Sequence, residues 1–297
     1  MEKEIETPLK KGATNAPRIV LTGTTGRLGS RILTSILEKK LISPSDLIIS
    51  SSNPKNVPGI AKENGVEVRY GDFANPRSLH SAFEGASAVF IMSHPDAGIQ
   101  RVQFHKNAIE TARTLGIKTI IYSSMMLGGE TGMESVIGIQ QGHLQTMKYL
   151  LSSGLEHIII RQGIYAQAWT PYAGIRSTGD PMEWVIPNDG AIAWTDLDEL
   201  GEGNALILAD YRKYINQTLR LTGPRATAIS TIAQIIERKL GRKVNLYFTG
   251  NHARDGWGRI YEGLANGEGK VVDPLLAQLL GRPAKGIEEV LTGSSTE

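Results

Sequence analysis

Short apolar runs rich in β-branched residues alternate with amphipathic segments through the first half of the chain. The apolar runs predict six strands, at Arg18–Thr22, Leu47–Ser50, Val66–Tyr70, Ala88–Met92, Lys118–Tyr122 and His157–Ile160. Nearly continuous apolar runs are typical of parallel strands that are covered on both faces. The segments between them predict four helices, at Arg27–Lys39, Pro76–Phe83, Ile99–Leu115 and Ile137–Ser152. Regular alternation of this kind predicts an α/β fold, a Rossmann-type doubly wound parallel sheet.

The rhythm changes in the second half, after a stretch rich in Gly, Pro and Asp between Thr170 and Gly190. Further elements are predicted beyond it, at Asp196–Leu208, Gln217–Thr222, Ile229–Leu240 and Val244–Phe248. We therefore predict a disordered polar tail over residues 1–16, a dinucleotide-binding Rossmann domain over 17–165 and a smaller C-terminal substrate-binding region over 166–297. Some segments of that last region are expected to return to the sheet.

Composition narrows the function classes. The chain is 40% hydrophobic and 21% charged, with a net charge of +2 and no basic block, so we do not expect a nucleic-acid ligand. No apolar run approaches the roughly 18 residues that span a bilayer. The absence of cysteine excludes disulfides and thiol chemistry, and the six histidines lack metal-ligand spacing. With no signal sequence visible, we expect a cytoplasmic protein without a metal site.

A glycine-rich turn, Gly23-Thr-Thr-Gly26-Arg-Leu-Gly29, joins the first predicted strand to the first helix. In a dinucleotide site, such glycines allow a tight turn, a close approach of the pyrophosphate and close packing of helix and strand, while the helix N-terminus attracts the anion. The spacing G-x-x-G-x-x-G leaves room for a wider turn than G-x-G-x-x-G; a ligand-free loop is the alternative. The predicted cofactor contacts are Gly23, Thr25, Gly26, Arg27, Leu28 and Gly29.

The residues after the second strand indicate which dinucleotide binds. NAD sites usually place an Asp or Glu there, to accept a hydrogen bond from the ribose 2′-hydroxyl. This chain instead has uncharged residues and a lysine, so we expect cofactor contacts at Ser51, Ser52, Asn53 and Lys55. Lys55 and Arg27 can meet a 2′-phosphate, although Lys55 also suits a solvated surface. The sequence therefore favours NADP(H).

Asp72 and Phe73 follow the third predicted strand, at the expected position of the adenine ring. The Asp72 carboxylate can accept from the adenine amino group, and Phe73 can line the pocket. Alternatively, Asp72 caps the helix that follows.

Several motifs together resemble the NmrA-like branch of the atypical short-chain dehydrogenases/reductases. They are TGTTGRLG, SSNP, YGDFANPRSLHSAFEGASAVF, IKTIIYSS, GHLQTMKYLLSSGLEHIIIRQGIYAQAW, LTGP and LLGRPAKGIEEVL. The likeness extends from about residue 17 to residue 291 and is strongest to a subgroup that includes NADP(H)-dependent quinone reductases and fungal NADP-sensing regulators. Many fungal members of this group are similar to tailoring enzymes of secondary metabolism.

The resemblance implies a catalytic serine near the end of strand five, where Ser123 and Ser124 stand; we predict Ser124 as catalytic and Ser123 as a cofactor contact. In short-chain dehydrogenases a Tyr-x-x-x-Lys pair follows on the next helix, but here Ile139 and His143 occupy those positions. The usual proton donor is absent. Because residues four apart share a helical face, Ile139, His143 and Met147 are expected to face the sheet and the cofactor. We predict that His143 contacts the cofactor or protonates substrate; a buried structural histidine is the alternative.

Further candidates follow strands four and six. Ser93 and His94 are expected to flank the nicotinamide ribose. The resemblance implies that the backbone near Gly163 and Tyr165 contacts the nicotinamide. Tyr165 is also a candidate for orienting substrate, so the predicted catalytic residues are His143, Ser124 and Tyr165. Several aromatic and sulfur side chains form either a substrate wall or part of the core: Trp169, Tyr172, Trp184, Met125 and Met126.

Three functions fit these features. The first is an NADP(H)-dependent oxidoreductase that transfers hydride to a conjugated carbonyl, quinone or imine, with a flat, apolar substrate that needs little proton assistance. The second is an NADP(H)-sensing regulator that binds a protein partner without turnover. The third is a non-redox isomerase or cyclase that retains the cofactor fold.

Overall fold

The computed structural model describes residues 17–96, 98–250 and 256–293; the predicted tail over residues 1–16 lies outside them. The strands are β1 (Ile19–Thr22), β2 (Leu47–Ser51), β3 (Glu67–Tyr70), β4 (Ala88–Met92), β5 (Thr119–Met125), β6 (Glu156–Gln162), β7 (Ile175–Ser177), β8 (Met182–Ile186), β9 (Ala191–Ile192), β10 (Gln217–Leu221), β11 (Thr227–Ala228) and β12 (Val244–Phe248). The helices are α1 (Arg27–Glu38), α2 (Gly59–Glu63), α3 (Pro76–Phe83), α4 (Ile99–Thr114), α5 (Gly138–Ser152), α6 (Leu197–Ala209), α7 (Ile229–Leu240), α8 (Gly256–Ala265), α9 (Leu275–Leu280) and α10 (Ile287–Thr292). Short 3-10 turns lie at Pro44–Asp46, Pro54–Asn56, Ala166–Ala168, Thr170–Ala173 and Tyr211–Tyr214.

Seven parallel strands form the central sheet, in the order β10-β6-β5-β4-β1-β2-β3. The predicted Rossmann-type sheet is confirmed. The chain reverses its direction of strand addition between β1 and β4, and open sheets of this kind bind ligands at such a point, beyond the carboxyl ends of the strands. The glycine turn leaves β1 at that position.

The inner strands β1, β2, β4 and β5 are buried on both faces, which explains why they are apolar without alternation, whereas the edge strands β3 and β10 are partly exposed. In β1, Ile19 and Leu21 pack into a core with α1 and α6, whereas Val20 packs on the opposite face with residues of α3 and α4. Adjacent strand residues point to opposite faces, so a two-sided sheet needs apolar residues at every position.

Part of the chain beyond residue 166 belongs to the central layers. Strand β10 pairs with β6 at the sheet edge, and α6 packs against α1. At that helix contact a Cβ on Gly201 would lie 2.6 Å from Cβ of Arg31, so the close approach requires glycine. These elements show that segments of the second half return to the sheet.

The remaining elements form a smaller region around its own core. It contains the antiparallel pair β11-β9 and a second sheet in the order β12-β8-β7. Trp184 and Trp194 are fully buried there, and the Trp169 ring packs 5.4 Å from that of Trp184. Trp184 is therefore a core residue and not part of a substrate wall. No helix among the described residues is long and apolar enough to cross a membrane.

Candidate functional site

The glycine turn has the backbone geometry of an anion cradle. Gly23 has a φ of +68°, which favours glycine, and its carbonyl accepts a hydrogen bond from the Gly26 N–H at 3.0 Å. A Cβ on Gly29 would lie 2.1 Å from the Gly23 oxygen, so the helix packs against the turn only if this residue is glycine. Helix α1 then starts with no side-chain cap and no acidic residue in its first turn. Its free N–H groups can bind a phosphate.

A groove of about 520 Å³ runs from this turn across the ends of β1, β2, β3 and β4. Its wall is formed by Thr22, Gly23, Thr25, Gly26, Arg27, Leu28, Gly29, Ser50, Ser51, Ser52, Gly71, Asp72, Phe73, Met92, Ser93, His94, Pro95 and Tyr165. Most of the predicted cofactor contacts therefore lie together. Asn53 and Lys55 are exposed at the adjoining 3-10 turn, and neither lines the groove as the structure describes it.

The wall beneath the expected adenine end fits a polar ligand. Ser50 Oγ is buried and has no hydrogen-bond partner among the described residues. A Cβ on Gly71 would lie 2.1 Å from that oxygen, so glycine is required beside it. An unpaired buried hydroxyl is costly in the free protein, and a ribose or ring atom in the groove can supply its partner.

Asp72 is not the cap of helix α3. Its Oδ1 accepts from the Ala74 N–H at 2.9 Å, whereas the capping residue is Asn75, whose side chain accepts from the Ser78 N–H. The capping alternative for Asp72 is wrong, because the helix begins one turn later than that role requires. Its carboxylate instead remains in the groove wall.

A second cavity, of about 290 Å³, adjoins the groove. Its wall is formed by Met92, Ser93, His94, Pro95, Arg101, Ser123, Ser124, Met125, Ile139, His143, Gln162, Gly163, Ile164, Tyr165, Ala168 and Tyr172. Five residues line both spaces: Met92, Ser93, His94, Pro95 and Tyr165. The groove and the second cavity therefore meet at these five residues. Met126, in contrast, is buried and is not in this wall.

His143 is part of this cavity wall and is 3% exposed. Its Nδ1 lies 2.9 Å from the hydroxyl of Tyr122, which is fully buried on β5. Burial, followed by the charges of Arg101 and His105, holds the pKa of His143 well below 6.5. Burial also raises the pKa of Tyr122 to about 12, against smaller opposing effects of the Ser93 and Thr146 hydroxyls. Both groups are consequently neutral at physiological pH.

A second buried histidine, His105, forms hydrogen bonds that link the elements beside the second cavity. His105 Nε2 accepts from the His94 backbone N–H at 2.9 Å, and its Nδ1 lies 2.9 Å from Thr146 Oγ1. Burial lowers the pKa of His105 to about 3, with Arg101 and His94 contributing. Because Nε2 accepts, the ring proton of neutral His105 is on Nδ1 and donates to Thr146. This chain of bonds joins the loop after β4 to helices α4 and α5.

Ser124 and Tyr165, the other two predicted catalytic residues, lie in different environments. Ser124 Oγ donates a weak hydrogen bond to Met147 Sδ at 3.2 Å and is buried in the wall. Tyr165 forms an isolated bridge with Thr195, and burial raises the pKa of its hydroxyl while the charge of Arg27 lowers it. The charge of Arg27 therefore acts on Tyr165, which lies where the groove meets the second cavity. A Cβ on Gly163 would lie 2.0 Å from Thr195 Oγ1, which explains the glycine there.

The NmrA-like family model matches residues 15–253, which is most of the chain. The chain belongs to the NmrA-like family. This agrees with the resemblance carried by the sequence motifs.

Two curated relatives of this NmrA-like protein are oxidoreductases by name. The NmrA-like family domain-containing oxidoreductase flvB of Aspergillus flavus is 30% identical over 285 residues, which cover 89% of this chain and 91% of the relative. Quinone oxidoreductase 2 of Escherichia coli is 26% identical over 230 residues, 76% of each chain. The solved structure of an NADPH-dependent quinone oxidoreductase from Escherichia coli, complexed with NADPH, has a TM-score of 0.81 at 23% identity and covers 93% of this chain and 99% of that one. That structural likeness shows the shared fold.

The sequence analysis did not predict three residues in or beside the second cavity: Arg101, His105 and Tyr122. Tyr122 ends an apolar run and resembles an ordinary core residue. Arg101 and His105 are four residues apart and therefore share one face of α4 with buried Val102 and Ala108 close by. Two basic residues on an otherwise buried helix face were the available signal.

Proposed function

We propose that this protein is an NADP(H)-dependent reductase that transfers hydride to a conjugated carbonyl, quinone or imine. The observation that carries the proposal is the junction of the dinucleotide groove with a second, mostly apolar cavity at Met92–Pro95 and Tyr165. A cofactor held in the groove presents its nicotinamide end to a substrate in the cavity. The names of the curated relatives, both oxidoreductases, support the same reaction class.

Different residues of the groove would hold different parts of the cofactor. The free N–H groups of α1 and the glycine turn suit the pyrophosphate, and Ser50, Asp72 and Phe73 suit the adenosine end. The absence of an acid between Ser50 and Lys55 favours a 2′-phosphate over a free 2′-hydroxyl. When bound, NADPH supplies the hydride.

His143 is the proposed donor to the substrate. With the Tyr122 hydroxyl donating to Nδ1, the neutral imidazole carries its proton on Nε2, the nitrogen opposite that contact. Nε2–H can then donate to a carbonyl oxygen or imine nitrogen as negative charge develops there. This replaces the tyrosine that the sequence lacks at position 139, where Ile139 contributes apolar wall instead.

The cavity favours a flat and largely apolar substrate. Met125, Ile139, Ile164 and Tyr172 contribute apolar or aromatic surface around the polar His143. Such a site can exclude water from the hydride-transfer geometry, so that positioning supplies much of the rate.

The test is stopped-flow loss of NADPH absorbance with a panel of quinones, enones and iminium compounds. We expect oxidation of NADPH by at least one class, together with Kd values that favour NADPH over NADH. Tight NADPH binding without oxidation by any compound would favour the regulator. Turnover of a substrate with no net change in NADP(H) would favour the isomerase or cyclase. A cytoplasmic location and a role in secondary metabolism stay predictions from sequence.

A further inference from the structure

Arg101 is a buried cation that has no carboxylate partner among the described residues. Its side chain is only 3% exposed, and no acidic oxygen of the described chain lies within 4.0 Å of its nitrogens. Nη1 donates to the Ile139 carbonyl at 3.2 Å and Nη2 to the Pro95 carbonyl at 3.3 Å, while Nε is buried without an acceptor. The two carbonyl contacts fix the guanidinium without neutralising its charge.

A buried charge of this kind needs a counter-ion. The desolvation cost of an ion in a protein interior is several kcal/mol, and carbonyl dipoles offset it only in part. The charge of Asp96 raises the pKa of Arg101, but no oxygen of its carboxylate lies within 4.0 Å of the guanidinium nitrogens, and its Oδ1 accepts from the Gly98 N–H at 2.7 Å. Burial lowers the pKa of Arg101, but a guanidinium stays protonated in proteins. Part of its hydrogen-bonding capacity is therefore available to a ligand.

Arg101 lines the second cavity and does not line the dinucleotide groove as the structure describes it. After burial, the charge of Arg101 contributes to lowering the pKa of His143 in the cavity wall and of His94, which lines both spaces. The glycine turn that would hold the cofactor phosphates lines the groove alone, so Arg101 is not part of that phosphate site.

We propose that the substrate carries a carboxylate that pairs with Arg101 while its reducible carbonyl or imine lies at His143. This inference rests on the proposed function, because it assigns the substrate class of the same cavity. The substrate is then a flat apolar molecule with one permanent negative charge. A planar guanidinium matches the two oxygens of a carboxylate, and such pairs are stronger than neutral hydrogen bonds.

Equilibrium binding tests this without turnover. The full chain is titrated with 2-naphthoate and with its neutral analogue 2-naphthamide, by calorimetry, with and without saturating NADP⁺. We expect the wild-type protein to bind the carboxylate at least about 10-fold more tightly than the amide. Arg101→Gln should remove this preference while the amide affinity changes by less than about 3-fold, and Arg101→Lys should keep part of it.

The matched control is Arg113→Gln, which removes the same charge from the outer side of α4, where Arg113 pairs with Glu110. It should leave the carboxylate preference unchanged. Thermal unfolding of each variant shows whether it is folded. If Arg101→Gln does not fold, the titrations of the wild-type protein and of Arg101→Lys test the carboxylate preference.

Three results would overturn the proposal. The first is equal wild-type affinity for the acid and the amide. The second is an Arg101→Gln protein that keeps the acid preference but binds NADP⁺ more weakly, which would assign Arg101 to the cofactor. The third is an unchanged acid preference with a lower kcat on the neutral quinone menadione, which would assign it to a developing oxyanion. Failure to bind NADP⁺ at all would instead refute the proposed function, and the titrations without NADP⁺ would still test the carboxylate.

Discussion

The hydroxyl of Tyr122 lies 2.9 Å from Nδ1 of His143, and the two side chains come from different elements, β5 and α5. The contact holds the imidazole in one orientation at the edge of the cavity. Because His143 is neutral, its function as a donor depends on which nitrogen carries the proton; in the proposed mechanism the Tyr122 hydroxyl donates to Nδ1, which leaves the proton on Nε2. Tyr122 is therefore a positioning residue for the proposed chemistry.

We predict that His143→Leu lowers kcat by about 100-fold on a quinone or imine substrate, with a smaller change in KM. The reason is loss of the Nε2–H donor to the developing charge. Steady-state kinetics measure kcat and KM separately, and the Kd of NADPH should stay within about 3-fold of the wild-type value. Lys148→Gln is the control, because Lys148 is exposed on the same helix. Unchanged turnover in His143→Leu would refute the donor role.

We predict that Tyr122→Phe lowers kcat by about 10-fold by releasing Nδ1 from its fixed partner. A purely structural tyrosine would also affect stability, so the decisive measurement is the ¹⁵N NMR spectrum of the imidazoles, assigned with His143→Gln. The wild-type signal of His143 should indicate the Nε2–H tautomer, and Tyr122→Phe should give a mixture. An unchanged tautomer in the variant would contradict the positioning role.

We predict that Gly29→Ala weakens NADPH binding by more than about 100-fold and lowers the free energy of unfolding by about 1–3 kcal/mol. Its Cβ would lie 2.1 Å from the Gly23 carbonyl oxygen, so the turn must move. Urea unfolding and fluorescence titration measure the two effects. The control is Gly59→Ala, whose Cβ would meet only Glu63 Oε1 at 3.5 Å. Normal NADPH affinity in Gly29→Ala would place the pyrophosphate elsewhere.

We predict that Lys55→Ala weakens NADPH binding by about 3- to 5-fold and leaves NADH binding unchanged. The effect is small because Lys55 is exposed and its pairing with a 2′-phosphate is screened by solvent. Arg27→Ala should weaken the binding of both cofactors, because Arg27 begins helix α1 in the groove wall, beside the glycine turn that would hold the pyrophosphate. Lys62→Ala, which removes another exposed charge, is the control. Equal effects of Lys55→Ala on both cofactors would contradict its predicted contact with the 2′-phosphate.

We predict that the free energy of unfolding falls as the pH is lowered from about 6.5 toward 4. Folded His105 binds a proton only near its pKa of about 3, and His143 also titrates well below 6.5. The unfolded chain binds these protons near pH 6.5, so acid favours unfolding by up to about 1.4 kcal/mol per pH unit for each histidine. Urea unfolding of His105→Gln should give a shallower slope, with exposed His80→Gln as the control. The same slope in wild type and His105→Gln would refute the prediction.

Much of the fold followed from local pattern. The bounds of Ala88–Met92, Pro76–Phe83 and Ile229–Leu240 agree with the structure residue for residue. Strand β5 is longer than predicted and continues through Ser123 and Ser124, because it stays paired with β6 as far as Met125 and Gln162. That pairing partner is distant in sequence, so a local pattern does not reveal where the strand ends.

For the site, the sequence by itself determined the glycine turn, the missing acid after β2 and the inward face of α5, because each depends on residues a few positions apart. Only the tertiary structure decided that His105 of α4 packs against Tyr122 of β5, that Tyr122 contacts His143 of α5, and that Arg101 lines the same cavity as His143. It also decided that Trp184 is core while Tyr172 lines the cavity. The physical reason is that burial, and with it pKa and charge pairing, depends on all the elements that pack around a side chain.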